Sequence, residues 1–391
     1  MLPPFDAVLP EGIRSRTVPG VNGLAMHVLE AGFPIDDHAP ARPAVLLLHG
    51  FPELAYSWRK VMLPLAQAGY HVIAPDQRGY GRTTGWSADF DSPLEPFRML
   101  NLVRDALGLV FALGHPSVTA VVGHDFGSPV AAWCALLRPD VFHACVLMSA
   151  PFGGPPALPL RGAGDAPRDT LSDAPPTGVG VDHAALAALP RPRVHYQAWY
   201  GTREANADMQ HCPQGVHAFL RAYYHCKSAD WRANQPHPLA SYAADALAQM
   251  PTYYIMDAGH GMAQTAATMA PSAAEIAACQ WLTEAELAVY AAEYQRNGFQ
   301  GGLRWYRCSA EPRFVAEQQT WAGRTIDVPS MFIAGKSDWG TYQKPGEFEK
   351  MQRTACTRMR SVHLVEGAGH WVQQEQPAQV TALLLSFLRG L

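Results

Sequence analysis

One aspartate stands where its chemistry is legible. Residues 118–122, Val-Thr-Ala-Val-Val, are a largely apolar run, and Gly123-His124-Asp125-Phe126-Gly127 follows at once. This is the nucleophile-elbow pattern G-x-Nu-x-G in a strand–turn–helix setting, with aspartate where serine is the usual nucleophile. The segment Ser128-Pro129-Val130-Ala131-Ala132-Trp133 can start the helix, proline being tolerated in a first turn. A serine that opens an alkyl electrophile forms an ether, which water does not cleave. An aspartate forms an ester, which water cleaves at the carbonyl. The substitution therefore points to electrophiles attacked at an sp3 carbon, such as epoxides or alkyl halides, and away from amides and ordinary esters.

Ester hydrolysis needs a base and a group that orients it. Gly367-Ala368-Gly369-His370-Trp371 and Gly335-Lys336-Ser337-Asp338 each follow an apolar strand-like run. His370 is the candidate base that takes a proton from water. Asp338 is the candidate carboxylate that fixes its tautomer and stabilises the imidazolium. A fourth run ends in His49-Gly50-Phe51-Pro52-Glu53. The backbone N–H groups of Phe51 and Phe126 are expected to form an oxyanion hole for the ester carbonyl, at roughly 3–4 kcal/mol per donor in comparable acyl chemistry.

The elements that must position these groups are readable as well. Residues 44–48, 71–74, 118–122, 144–148, 331–334 and 362–365 are continuous apolar runs, preceded by strand-like pieces at 16–18 and 24–29. Unbroken apolar strands suit a parallel sheet covered on both faces. Helical stretches at 61–67, 100–113 and 130–137 alternate with them, as βαβ units require, and a last helix is expected at 378–388. Ligands of such sheets gather at the carboxyl ends of the strands, where Asp125, Asp338 and His370 all fall. The alternation breaks after Met148. Residues 151–192 are crowded with Pro and Gly and read as a long loop, and 194–320 reads as helical. Within it Thr283-Glu284-Ala285-Glu286 is a capping box, and Asn297-Gly298 a helix stop. The expected organisation is a core (1–150), a helical cap insertion (151–326) and the rest of the core (327–391).

Composition narrows the partners. The net charge of −4 comes without a Lys/Arg run, so nucleic acid and anionic membranes are poor candidates. No stretch approaches the ~20 apolar residues of a membrane span, and residues 1–6 lack the features of a secretory signal. Seven scattered cysteines form no disulfide framework, which points to the cytoplasm. His211-Cys212 and His225-Cys226 match no standard zinc spacing, so no metal or other cofactor is expected. The sequence leaves a homo-oligomer open.

Taken together, these motifs resemble the epoxide hydrolases of the α/β-hydrolase fold, over nearly the whole length. The matching segments include His49-Gly50-Phe51-Pro52-Glu53, Asp76-Gln77-Arg78-Gly79-Tyr80-Gly81, Gly123-His124-Asp125-Phe126-Gly127, Gly369-His370-Trp371 and the stretch 298–307. The resemblance implies an α/β fold, a mostly parallel doubly wound sheet with an inserted cap, acting on an epoxide and water. It implies two cap tyrosines that protonate the epoxide oxygen: Tyr306, and Tyr196 with Tyr200 one helical turn later as its competitor. Trp58, Tyr200, Trp305 and Trp371 are expected to line an apolar substrate pocket. Two departures bear on the alternatives. Phe126 follows the nucleophile where many members carry Trp, and neither Phe126 nor Phe51 offers a side-chain donor to a halide. This counts against a haloalkane dehalogenase, and Phe126 also removes the arginine that fluoroacetate dehalogenases carry there. The residues from Asp165 to Arg191 have no counterpart in a compact cap. The remaining alternative is a ligand-binding protein without turnover, which would not need the acid–histidine pair.

Overall fold

The computed structural model describes residues 5–33, 42–158 and 180–391. Among the described residues are ten strands: β1 (Ile13–Val21), β2 (Leu24–Ala31), β3 (Ala44–Leu48), β4 (His71–Pro75), β5 (Ala120–His124), β6 (Cys145–Met148), β7 (Arg193–His195), β8 (Ile255–Asp257), β9 (Ser330–Gly335) and β10 (Met359–Val365). Eight of them form one sheet in the order β1-β2-β4-β3-β5-β6-β9-β10. β2 runs antiparallel to both β1 and β4, and every other pairing is parallel. The β1–β2 hairpin turns at Asn22 and Gly23, whose φ angles of 48° and 82° are the positive values that a two-residue turn demands.

Why these residues form this sheet follows from their composition. Every residue of β3, β4, β5, β6 and β9 is buried, so the runs are largely apolar rather than alternating, with His71, His124 and Ser330 at their ends. β10, at one edge, is mostly half-exposed. Helices Arg59–Gln67, Met99–Ala112, Gly127–Leu137 and Pro377–Arg389 connect or flank the strands. This is the mostly parallel sheet anticipated from the apolar runs, in the α/β-hydrolase fold that the resemblance implies. The third run is offset slightly: β5 starts at Ala120, while Val118 makes only an isolated bridge to Phe142.

Between β6 and β9 the chain leaves the sheet. Much of that excursion is helical, including Tyr196–Tyr200, Gly215–Lys227, Glu284–Asn297 and Gln300–Ala310. The expected capping box is present: Thr283 Oγ1 accepts from Glu286 N, and the Glu286 carboxylate accepts from Thr283 N at 2.8 Å. Gly298 ends that helix at φ 67°. The reading of 194–320 as helical needs one correction. β7 and β8 pair antiparallel there, Val194 opposite Met256, and Arg193 and Arg191 ion-pair with Asp257. Three-residue strands are too short to show a period of two. Of the segment read as a long loop, residues 159–179 lie outside those described, and a short helix occupies His183–Ala187.

The end of β5 is closely packed against its neighbours. A Cβ on Gly123 would lie 2.0 Å from the Gly127 carbonyl oxygen, and one on Gly127 would lie 2.3 Å from the Leu48 oxygen. Both neighbours are backbone and cannot swing away. The two glycines of the motif thus let β5, β3 and the following helix meet, which lifts residue 125 above the sheet. Gly123→Ala is expected to lower stability by about 2 kcal/mol or more, since overpacking against backbone has few ways to relax. A urea-denaturation midpoint unchanged from the wild type would contradict this account of the elbow.

Candidate active site

Asp125 sits at φ 51°, a left-handed conformation uncommon for a residue with a side chain. Its amide donates to Met148 O at 3.1 Å and its carbonyl accepts from Ser128 N at 3.0 Å, so the strained backbone is pinned on both sides. The side chain is thereby presented where three strand ends meet. Phe51 N donates to Asp125 Oδ1 at 2.8 Å. His370 Nε2 lies 3.1 Å from Asp125 Oδ2, and His370 Nδ1 lies 3.0 Å from Asp338 Oδ1. Asp338 Oδ1 also accepts from Gly340 N at 2.7 Å, which fixes the carboxylate against its own loop. All three side chains are buried, His370 to 1% exposure.

The electrostatics follow from that geometry. Burial pushes the Asp125 carboxyl up, but the His370 hydrogen bond and the charges of His370, Lys227 and His124 outweigh it and hold the group below the usual carboxylate range. Burial and Lys227 work to lower the His370 pKa. Asp338 and the hydrogen bonds to both aspartates outweigh them, leaving it above the ordinary histidine value. The two results agree with the contact itself. With Nδ1–H donating to Asp338, a neutral imidazole would set its Nε2 lone pair against a carboxylate oxygen. A proton on Nε2 turns that contact into a charge-assisted hydrogen bond.

Several groups that hold this array were not singled out from the sequence. The Glu375 carboxylate accepts from Ala229 N at 2.8 Å, Gly369 N at 2.9 Å and Trp371 N at 3.0 Å, clamping the His370 loop on both sides. Burial pushes the Glu375 pKa up to about 8 against those three donors. His370 N donates to Lys227 O at 2.8 Å. His124 Nδ1 lies 2.5 Å from Glu53 Oε2 and its Nε2 lies 2.7 Å from His370 O, tying the Glu53 loop to the base. Glu53 also accepts from Gln373 and Gln374. Only His124 and Glu53 fall inside recognisable motifs; Glu375 and Lys227 hold the loop through backbone groups, and Gln373 and Gln374 reach Glu53 across the fold, neither of which a sequence displays.

The tyrosines come from the inserted segment. Helix Gln300–Ala310 reaches the site because Gly301 packs against Gly79, where a Cβ would stand 1.9 Å from the Gly79 oxygen. That approach sets the Tyr306 ring 5.1 Å from Phe126 and 5.7 Å from Phe51, both edge-on. Tyr196 begins the helix Tyr196–Tyr200, with its ring 5.9 Å from that of Tyr306. Its hydroxyl donates to Gln343 Oε1 and accepts from Gln197 Nε2, both at 3.1 Å. Burial, and next the charge of Asp125, push the Tyr196 and Tyr306 pKa values far up, so both phenols keep their protons. Tyr200 differs. Its ring touches Tyr306 and Phe51, but its hydroxyl donates to Tyr223 Oη at 3.1 Å.

The other expected residues divide. The Phe126 ring packs 5.2 Å from Trp305, but among the described residues its amide makes no hydrogen bond to Asp125. Trp305 and Trp371 are fully buried behind the site, their indoles donating to Arg78 O at 2.9 Å and Tyr224 O at 2.8 Å. Trp371 backs the imidazole of His370, with centroids 4.7 Å apart. Trp58 is fully buried in Ala55–Trp58 and shares no described ring contact with the site. The histidine–cysteine pairs gather into no metal-binding group among the described residues.

A mostly parallel sheet carrying aspartate, imidazole and a second aspartate on three strand ends defines an α/β hydrolase with an acidic elbow. Comparison with known proteins agrees and goes further. Residues 43–175 match the family model of the alpha/beta hydrolase fold. The chain is 34% identical to Epoxide hydrolase A of Mycobacterium tuberculosis, covering 97% of this chain and 99% of that one. It is 33% identical to an epoxide hydrolase of Caballeronia sordidicola, covering 94% and 92%. Among solved structures it superposes on an epoxide hydrolase from an endophytic Streptomyces with a TM-score of 0.73 at 30% identity, over 97% of this chain and 96% of that one. Potato (Solanum tuberosum) epoxide hydrolase I gives 0.70 at 28%, over 97% and 100%. The chain belongs to the epoxide hydrolases.

The Glu375 clamp generates a test. Glu375→Ala leaves three buried N–H groups without their acceptor, at about 1–3 kcal/mol each. Stability is expected to fall by at least about 2 kcal/mol, together with turnover, because the freed loop carries His370. Wild-type melting and kcat in this variant would show that the clamp holds nothing.

Proposed function

We propose that this enzyme converts an epoxide and water to a vicinal diol through an ester on Asp125. The observation that carries the reading is the unbroken chain Phe51 N–Asp125–His370–Asp338 in a buried site. The Asp125 carboxylate attacks a ring carbon, and the C–O bond of the epoxide breaks. The leaving oxygen stays on the substrate as an alkoxide and takes a proton from Tyr196 or Tyr306. Esterification removes the Asp125 charge, and with it one of the influences that raise the His370 pKa. His370 then gives up its proton, which balances the one that the tyrosinate must regain to become a phenol again, and the neutral imidazole takes one from water. The hydroxide adds to the ester carbonyl, whose oxyanion is met by the Phe51 N–H, and by the Phe126 N–H once the carbonyl turns toward it. Collapse frees the diol and regenerates the carboxylate with one solvent oxygen.

Tyr196 is the better partner for Tyr306. Asp125 is the charge its phenol feels most strongly, whereas for Tyr200 the charge of Asp125 ranks behind the influence of Tyr196. A halide leaving group would need donors and no proton. The indoles nearest the site are committed to Arg78 O and Tyr224 O, and Phe51 and Phe126 carry no polar side-chain atom. A binder without turnover would have no use for the oriented imidazole. In this reading residues 151–326 act as a cap that supplies the tyrosines, bounded by core residues 1–150 and 327–391. Among the described residues no helix is long and apolar enough to cross a membrane. The seven cysteines are free thiols, which supports placing the enzyme in the cytoplasm.

Two experiments test the chemistry. Alkylation needs no base and hydrolysis does, so His370→Ala incubated with a turned-over epoxide is expected to gain the mass of one substrate. An unmodified variant would reject the roles of Asp125 and His370 together. A positioned acid contributes roughly 10²–10⁴ in rate. Each Tyr→Phe change at 196 or 306 is therefore expected to leave partial activity, and the double variant almost none, with Tyr200→Phe milder than either. Substantial diol formation by the double variant would remove the tyrosines from the mechanism.

A further inference from the structure

Lys227 ends the helix Gly215–Lys227 and is buried to 3% exposure. An isolated ammonium is among the most expensive groups to bury. Among the described residues no carboxylate comes within ion-pair distance of it. Aromatic rings surround it instead: Nζ lies 4.8 Å from the centroid of Tyr254, 5.2 Å from Tyr223, 5.7 Å from Trp371 and 5.8 Å from Tyr253. Ring faces attract a cation most strongly where water is excluded. The same Trp371 ring lies 4.7 Å from the imidazole of His370, which puts the ammonium within about 10 Å of the base. The Lys227 carbonyl accepts the His370 N–H at 2.8 Å. One residue therefore holds the base through its backbone and faces it with a charge.

The charged and titratable groups around Lys227 come from every strand end of the site. They are Asp125 after β5, Asp338 after β9, Glu53 after β3, His370 after β10, and the thiol of neighbouring Cys226. Tyr223, Tyr253 and Tyr254 complete the shell as phenols whose pKa values burial drives up, leaving them uncharged. Burial lowers the Lys227 pKa, while Asp125, Asp338, Cys226 and Glu53 act to keep the ammonium charged.

We propose that Lys227 is a positioning residue whose caged ammonium sets the pH range in which His370 works as a neutral base. The need arises at the ester stage and rests on the reading of His370 given above. Once Asp125 is esterified, its negative charge is gone, but Asp338 still favours the imidazolium. A protonated His370 cannot take a proton from water. The Lys227 charge opposes that protonation, so the base stays free to lower pH. The same charge steadies the Asp125 carboxylate before attack and when it is regenerated.

The test is the pH profile of ester hydrolysis, measured in single turnovers with styrene oxide on the full chain. Lys227→Met keeps length and apolar packing while removing the charge. At about 10 Å and an effective dielectric of ~20, one unit charge shifts a pKa by roughly one unit. The acid limb is therefore expected to move up by about one pH unit in Lys227→Met, and Lys227→Arg is expected to return it toward the wild type. Melting temperatures of both variants check folding, and Lys227→Gln carries the same comparison if the Met variant does not fold. An acid limb in Lys227→Met that superimposes on the wild type overturns the proposal. So does a Lys227 amine that 15N NMR of 15N-lysine-labelled wild-type protein finds uncharged between pH 6 and 8. His370→Ala separates the two readings. If it fails to trap an ester, the reading of the base is wrong; if it traps one while the Lys227→Met limb stays put, only the role of Lys227 is wrong.

Discussion

A carboxylate that must attack carbon has to be both dry and ionised, and those two demands oppose each other. Removing water strengthens the nucleophile and raises the free energy of its charge by several kcal/mol. Everything around Asp125 serves to relieve that conflict without quenching the oxygen that reacts. One carboxylate oxygen takes the Phe51 N–H, the other faces His370, and Lys227 and His124 contribute charge from further off. The pairing with His370 is the centre of this arrangement. It favours the anion on one side and the imidazolium on the other, and in the proposed mechanism it dissolves when the anion becomes an ester. The proposed switch from acid-paired histidine to free base then follows from the loss of that one charge.

The constraint reaches into the backbone. A carboxylate held between an amide of one strand end and an imidazole of another cannot be placed by an ordinary helix or strand residue. The left-handed φ of Asp125 lifts it out of the line of β5, and the glycines at 123 and 127 make room for the turn. Strain of this kind persists only where the surroundings over-determine it. Here the buried strands β3, β5, β6 and β9 and the hydrogen bonds of Asp125 N and O do so. On the histidine side the rigidity comes from a different source. Its loop is irregular, and Glu375 gathers the amides of Gly369, Trp371 and Ala229 into one acceptor.

What the sequence displayed and what it hid divide along the same physical line. Apolar runs ending in polar motifs announce buried parallel strands and their carboxyl ends, so the sheet, Asp125, Asp338, His370 and the Phe51 loop were all legible. Side-chain chemistry at a strand end leaves a local signature. Contacts made by backbone amides, or by one side chain reaching across the fold, leave none. Glu375 reads as part of an ordinary polar stretch, Gln373-Gln374-Glu375-Gln376, and Lys227 as the cationic end of a helix. β7 and β8 escaped because three residues cannot establish a period.

The donors around the site carry the last distinction, between leaving groups. Aromatic residues crowd the site from both the sheet loops and the inserted segment, yet they are not interchangeable there. An indole donates a hydrogen bond but does not give up its proton to a leaving group, whereas a phenol can do both. Phe51 and Phe126, nearest the nucleophile, do neither, and Trp305 and Trp371 turn their N–H groups away to backbone carbonyls. The hydroxyls that remain belong to tyrosines beneath a layer of rings, where burial raises their pKa values and keeps their protons in place. A halide leaves as a stable anion and gains little from such acids. An alkoxide tethered to its carbon is strongly basic and, in the proposed mechanism, takes the phenol's proton as the C–O bond breaks. A site that sets phenols around an aspartate, and turns the indoles of Trp305 and Trp371 away from it, suits the proposed leaving oxygen that does not depart.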